Sequence, residues 1–180
     1  MPELPEVETT LRGIQPFIQK QTIQAFIIRH SHLRWPIPKE NLQKLMGYSV
    51  NQIIRRGKYL LLITDLGTII LHLGMSGRLR ILDAPTTAKK HDHVDIVFNN
   101  GCTLRFTDPR RFGALLFTNE ANPLSHPLLK NLGAEPLTRN FTSHFLQKLL
   151  HNKNVAIKLA LMNQHIVVGI GNIYINEALF

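Results

Sequence analysis

The residues best suited to chemistry crowd the first few positions. The chain opens MPELPEVETT, placing Glu3, Glu6 and Glu8 with Pro2 and Pro5 inside eight residues. Proline in position two is a residue behind which methionine is normally removed. Pro2 would then present a free secondary amine, and an α-amino group titrates at about 7.7–8.0, far below a lysine. Such an amine can attack an electrophilic sugar or carbonyl carbon to form an iminium. The iminium is an electron sink that eases proton loss from the neighbouring carbon. Glu3 is the adjacent carboxyl group, suited to general acid or base work if its surroundings tune it. The same run is also a good helix start, with Pro5 in the first turn and acids at the positive end of the helix dipole. Taken alone, the residues favour that second reading.

Four further stretches carry candidate chemistry. In RRGKYLLLI, Lys58 follows Gly57 at the head of an apolar strand, where burial would loosen its hold on a proton; a strand-end lysine reaching to water fits as well. HLGMSG sets Met75 between glycines at a loop tip, as core filler or as an apolar wedge of the kind pushed between base steps. DPRRFG offers Arg110, Arg111 and Phe112 in a turn, able to touch phosphates, fill a vacated base position or stack. A turn with surface arginines and a core Phe fits that stretch equally. KHDHVD holds His91 and His93 on one strand face without a third metal ligand nearby, so Lys90 or His91 is read as a phosphate contact or as part of a solvated loop end. In GIGNIY, Gly169 and Gly171 turn the chain and Asn172 reads as the N-cap of a helix. The unpaired N–H groups there suit an anion, and Lys153 and Lys158 add charge from the preceding helix.

The elements that must hold these residues follow from hydrophobic spacing. Val7, Leu11 and Ile14 predict a helix from Pro5 to about Phe17. From about Ile23 to Thr118, β-branched and aliphatic runs between Gly-containing breaks predict short antiparallel strands, hence a sandwich or barrel. HVDIVF-NNG-CTLRF is the clearest hairpin, with Cys102 as a small buried residue in its second strand. DAPTTAKK, around Asp83 to Lys90, reads as an exposed, mobile loop. From about Asn122 the pattern turns helical, with NPLSHPLLKNLG stopping at Gly133, then TSHFLQKLLH, VAIKLALMN and NIYINEALF. The last run reaches Phe180 without a cap or stop signal, as if cut within an element.

Lys and Arg number 21 against 12 Asp and Glu, a formal net charge of +9, which favours a polyanionic partner such as nucleic acid. A single cysteine excludes a disulfide framework and a cysteine zinc site within these residues. No apolar run is long enough to cross a bilayer, and the acidic start is no secretory signal. A cytoplasmic protein is expected.

Together MPELPEVET, GKYLLL, HLGMSG, KHDHVD, TDPRRFG and VVGIGNIYINEALF resemble formamidopyrimidine-DNA glycosylase, over essentially the whole chain and in family order. The resemblance implies an α+β fold: an N-terminal helix on a two-layer antiparallel β-sandwich (residues 1–120), then a helix-two-turn-helix region (121–180). It implies a bifunctional glycosylase and abasic-site lyase that removes 8-oxoguanine and formamidopyrimidines from double-stranded damaged DNA. Such an enzyme would be a nucleoid-associated bacterial monomer without membrane contact. Carried onto this chain, Pro2 resembles the Schiff-base nucleophile, Glu3 the proton donor to the opening sugar, Glu6 a supporting carboxylate and Lys58 the proton donor linked to elimination. Met75, Arg110 and Phe112 resemble the residues that fill the gap left by a flipped base. His91, Arg110, Lys153, Lys158 and Asn172 resemble phosphate contacts. Family members continue into a zinc finger with four cysteines, so no cofactor is expected in these residues and one structural zinc in the longer family protein. Two other readings compete. One is an endonuclease VIII type acting on oxidised pyrimidines, whose start usually reads MPEGPE and which lacks this HLGMSG loop. The other is a truncated, inactive DNA-binding module. If Met1 were retained, Pro2 would have no free amine.

Overall fold

Residues 2–180 are described by the structure, a computed structural model. Helix α1 runs Leu4–Ile18 and buries Leu4, Val7, Leu11, Ile14 and Ile18, the alternating three- and four-residue spacing of one helical face. Eight strands follow: β1 (Ile23–Ile28), β2 (Gln52–Arg56), β3 (Tyr59–Ile63), β4 (Thr68–His72), β5 (Arg78–Leu82), β6 (Asp92–Phe98), β7 (Thr103–Thr107) and β8 (Ala114–Thr118), with the short helix α2 (Lys39–Gln43) between β1 and β2. They pair antiparallel into two four-stranded sheets, ordered β1-β6-β7-β5 and β2-β3-β4-β8.

The sheets close on one core. Leu60, Leu62, Ile69, Leu71 and Leu115 from one sheet meet Val94, Ile96, Phe98, Leu104 and Phe106 from the other, with Val7, Leu11, Ile14 and Ile18 of α1 in the same cluster. The period of two in a strand explains the other face. Leu61 and Ile70 point away from this core and pack with Leu129, Tyr59, Ile63, Leu116 and Leu132. Leu129 and Leu132 therefore cover the outer face of β3 and β4.

Beyond β8 come a 3₁₀ turn (Pro123–Ser125) and three α-helices, α3 (Ser143–Leu150), α4 (Ile157–Met162) and α5 (Asn172–Leu179). Thr142 caps α3, its hydroxyl accepting from the Phe145 N–H at 3.1 Å. A small third cluster, Ala160, Ile166 and Val167 with Phe141, Leu146, Leu149, Leu150, Leu161 and Ile170, joins α3 and α4 to the turn before α5.

Three expectations about elements need correction. NPLSHPLLKNLG forms only the 3₁₀ turn and a run of turns. Pro127 lacks an N–H and disfavours helical backbone at the residue before it, so a helix begun at Pro123 stops there. Cys102 is half-buried in the turn ahead of β7, where its N–H donates to the Asn100 side chain, and is not a core strand residue. Lys153 lies in the α3–α4 connection rather than in a helix. No helix among the described residues is long and apolar enough to cross a membrane.

Candidate active site

The first residues of the chain end against its last helix. The Leu4 N–H donates to the Gly169 carbonyl at 3.0 Å. Glu3, only 2% exposed, sets its carboxylate at the start of α5: Oε2 accepts from the N–H groups of Gly171 (2.8 Å) and Tyr174 (3.3 Å), and Oε1 from Ile173 (2.9 Å). Amides that a helix start leaves without intrahelical partners are thus satisfied by a side chain from the other end of the sequence. Two glycines make room. A Cβ on Gly171 would lie 2.5 Å from Glu3 Cδ, and one on Gly169, whose φ is +83°, would lie 2.5 Å from Leu4 Cδ1. Glu6 braces the same residue. Its Oε2 accepts from the Glu3 N–H at 2.9 Å and its Oε1 from the Tyr174 hydroxyl at 2.9 Å. Burial pushes the Glu6 carboxyl up, but the Tyr174 hydroxyl and the Glu3 N–H outweigh it and hold the group below the usual carboxylate range. The same bond raises the Tyr174 phenol. Pro2 is half-buried immediately ahead of Glu3.

Lys58 approaches from the β2–β3 turn. Gly57 takes a left-handed φ of +56° there, with no room to spare: a Cβ would stand 3.2 Å from Val168 Cβ. The turn is tied to the helical region by Glu135, which accepts from the Gly57 N–H (2.7 Å), Arg55 Nη1 (2.7 Å) and Arg56 Nη1 (3.0 Å), while Arg55 Nε donates to Glu8 at 2.9 Å. Lys58 is 9% exposed and lines a cavity of about 430 Å³ with His72, Gln164, His165, Gly171 and Asn172. Burial lowers its ammonium below the ordinary lysine value, and the carboxylates of Glu3 and Glu6 oppose that shift without cancelling it. Among the described residues Lys58 enters no ion pair. A desolvated lysine near carboxylates but bound to none is equipped to pass protons.

His72 joins this cavity to a second of about 400 Å³, lined by Arg34, Gly74, Met75 and Phe112. Burial, then the positive charges of Lys58 and Arg34, push His72 down to about 4. Its Nδ1 accepts from the Gly74 N–H at 3.0 Å, so near neutral pH the ring is uncharged with its proton on Nε2. Met75 and Phe112 are 43% and 45% exposed, and the Arg110 guanidinium lies over the Phe112 ring at 4.6 Å. Two loops from distant parts of the sequence therefore present a methionine, an arginine and a phenylalanine beside one concavity. The buried carboxylate of Asp108 links them, accepting from Ser76 Oγ (2.5 Å) and from the Gly113 N–H (2.8 Å).

Comparison with known proteins gives this geometry a family. The family model described as the formamidopyrimidine-DNA glycosylase N-terminal domain matches residues 1–115, and that described as its H2TH domain matches residues 132–180. The chain belongs to the formamidopyrimidine-DNA glycosylase family. The formamidopyrimidine-DNA glycosylases of Nitrosococcus oceani and Shewanella pealeana are 56% and 55% identical to it over 180 residues, all of this chain and 66% of theirs. The chain thus spans 66% of the length of these curated relatives. Among solved structures, the Lactococcus lactis enzyme non-covalently bound to DNA containing an abasic site is 32% identical with a TM-score of 0.89, over 98% of this chain and 68% of that one. MutM in complex with carbocyclic 8-oxoguanine DNA is 35% identical, also with a TM-score of 0.89, over 99% and 67%.

Within this glycosylase-family chain, Pro2, Glu3, Glu6, Lys58 and Asn172 converge on the junction of the sandwich with α5. Met75, Arg110 and Phe112 form a separate cluster next door. His91 is half-buried at the loop end ahead of β6, its carbonyl accepting from the Asp108 N–H at 3.0 Å. Lys158 is on α4, Lys153 exposed before it. His91 and His93 make no metal pair: His93 is buried with Nε2–H donating to the Asp108 carbonyl at 2.8 Å, and their ring centroids are 6.5 Å apart. No group of three or more His, Cys, Asp or Glu among the described residues could hold a metal, so the zinc expected of the longer family protein has no ligand set here.

Two readings of GIGNIY change. The N-cap of α5 is Gly171, and Asn172 is the first helical residue, with its side chain exposed. Of the amides at that helix start, those of Gly171, Ile173 and Tyr174 donate to Glu3. Tyr174, His72 and Asp108 were missed from sequence. Tyr174 ends the quoted GIGNIY and His72 opens the quoted HLGMSG, where each reads only as a helix or strand residue, while Asp108, in the quoted DPRRFG, reads as ordinary turn chemistry. Whether Met1 is removed lies outside the described residues.

Proposed function

We propose that this chain carries the catalytic and DNA-gripping parts of a bifunctional glycosylase and abasic-site lyase for oxidised purines in double-stranded DNA. Residues 1–120 supply the chemistry and 121–180 much of the grip. The observation that carries the reading is the capture of Glu3 by the start of α5 beside the desolvated Lys58, which fixes a carboxylate, a proton-passing lysine and the N-terminal proline at one junction. In this reading the free amine of Pro2 attacks the anomeric carbon and the damaged base leaves with the bonding electrons; the Glu3 carboxylate takes the proton the amine sheds and returns it to the ring oxygen as the sugar opens and the iminium forms. The resulting iminium acidifies the neighbouring carbon; loss of its proton and departure of the phosphate cleave the strand. Lys58 passes protons through this second stage, and Glu6 with Tyr174 keeps Glu3 in place.

A base must leave the helix stack before such chemistry can reach it. Met75, Arg110 and Phe112 fill the gap, while His91, Lys153, Lys158 and Asn172 contact phosphates from a strongly basic chain. Relatives solved on abasic and 8-oxoguanine DNA support this reading.

The test is excision from matched duplexes carrying 8-oxoguanine, a formamidopyrimidine or an oxidised pyrimidine. Release of the purine lesions followed by strand cleavage is expected. Preference for the pyrimidine would favour the endonuclease VIII type, and salt-sensitive binding without release would favour a binding module. The alkaline limb should fall at lower pH than an ordinary lysine would set, since Lys58 is shifted down, and Lys58→Arg should abolish that limb.

A further inference from the structure

We propose that Asp108 and Ser76 are positioning residues that lock the Met75 loop to the Arg110–Phe112 loop, so that the two act as one rigid wedge. The proposal rests on the gap-filling reading above and extends it to residues that touch neither base nor sugar.

The exposed tips give no hint of how they are held. Met75 and Phe112 lie nearly half in solvent, and an apolar side chain on a loose loop would fold back rather than enter a base stack. The anchor is underneath. Asp108 is completely buried, a placement that a carboxylate tolerates only with its oxygens satisfied. Its Oδ1 accepts from the Ser76 hydroxyl at 2.5 Å, and its Oδ2 from the Gly113 N–H at 2.8 Å. The same Ser76 oxygen then accepts from the Arg110 N–H at 3.1 Å. One hydroxyl therefore bridges the residue after Met75 to the arginine of the other loop. The Asp108 backbone is fixed in turn by the His91 carbonyl and by the His93 ring.

Close backbone approach completes the lock. Gly74 has φ +62°, and a Cβ there would fall 2.4 Å from the Phe112 carbonyl carbon; one on Gly113 would fall 2.8 Å from the His72 carbonyl oxygen. The loops thus touch main chain to main chain, and the buried carboxylate sets their register. Because the His72 backbone belongs to the same contact, the wedge is also held at a fixed offset from the Lys58 cavity.

The experiment compares Ser76→Ala, Ser76→Thr and Met75→Ala in the full chain, with two readouts: lesion excision from duplex, and borohydride trapping on a single-stranded abasic site, which needs no base extrusion. Ser76→Ala should lower duplex excision at least tenfold while trapping changes less than twofold, and Ser76→Thr, which keeps the hydroxyl, should restore excision to within threefold of the parent. Added to Met75→Ala, Ser76→Ala should have much less than its single effect, because both act through the same wedge. Equal loss of both readouts, full additivity, or unchanged excision in Ser76→Ala overturns the proposal. A parent protein that neither excises nor traps would instead sink the glycosylase reading itself, leaving a distinct signature.

Discussion

Two regions of this molecule bury carboxylates beside basic side chains, and they do so in opposite ways. On the β1-β6-β7-β5 sheet, Asp95 accepts from Arg29 Nη2 (2.6 Å) and from Arg105 Nε and Nη2 (both 2.8 Å); Asp92 takes Arg80, Arg105 and the Thr107 hydroxyl. Arg105 also donates to the carbonyls of Thr86 and Thr87, pinning the 83–90 loop. Charge is matched there by charge. Although burial pushes Asp95 up, its two arginines hold it below the usual carboxylate range. At the α1–α5 junction, Glu3 and Glu6 are held by backbone N–H groups and a phenol, and the nearby cation, Lys58, enters no ion pair among the described residues. The first arrangement saturates its charges and can only hold structure. The second fixes two carboxylates while leaving a lysine with a loosened proton, which is a condition for chemistry.

The sharpest way to break this contrast is to remove a carboxylate from each region. Glu3→Gln should lower lesion excision about 10²–10⁴-fold, the usual range for a lost general acid, with the protein still folded by circular dichroism. Asp95→Ala should do the reverse: about 3–5 kcal/mol less stable in denaturant titration, because two arginines lose their buried partner, with excision per folded molecule within about twofold. If both variants lose activity and stability together, the two regions are not functionally distinct.

Gly171→Ala comes next. It keeps Glu3 but puts a methyl where the carboxylate lies, so excision should fall by about tenfold or more with only a modest loss of stability. A silent Gly171→Ala would mean that capture of Glu3 by α5 is irrelevant to turnover. The last expected effect is on stability rather than turnover and concerns His72. Its folded value of about 4 lies below the unfolded 6.5, so the unfolded chain binds the extra proton first and stability is lost as pH falls from 6.5 towards 4. Between pH 6.5 and 5 this amounts to about 2 kcal/mol. His126 is also lowered by burial and contributes in the same direction. Denaturant titrations at the two pH values should show the drop, and His72→Gln should reduce it.

The sequence was legible where the information is local. Helix α1, the β6–β7 hairpin and the exposed 83–90 segment follow from spacing and turn residues; the run of short strands left sandwich and barrel open, and the two-layer α+β architecture came from the family resemblance. Pro127 broke a helix that apolar spacing alone suggested. What the residues could not disclose were contacts closed by the fold. Nothing near Glu3 indicates that the amides of Gly171, Ile173 and Tyr174 will receive it, and nothing in DPRRFG indicates that its aspartate reaches back to Ser76. The family resemblance marked Pro2, Glu3 and Lys58 as working together. What the structure adds is their setting: glycines without side chains at 169 and 171, and a lysine desolvated in a turn that Glu135 clamps.

The central claim is that the N-terminal proline is the nucleophile of this junction. Borohydride reduction on an 8-oxoguanine duplex, followed by peptide mass spectrometry of the trapped adduct, tests it most directly. A single covalent DNA adduct on the nitrogen of Pro2 is expected, in protein that has lost Met1. An adduct on Lys58 or another lysine, or no adduct from methionine-free protein that still releases the base, would contradict it.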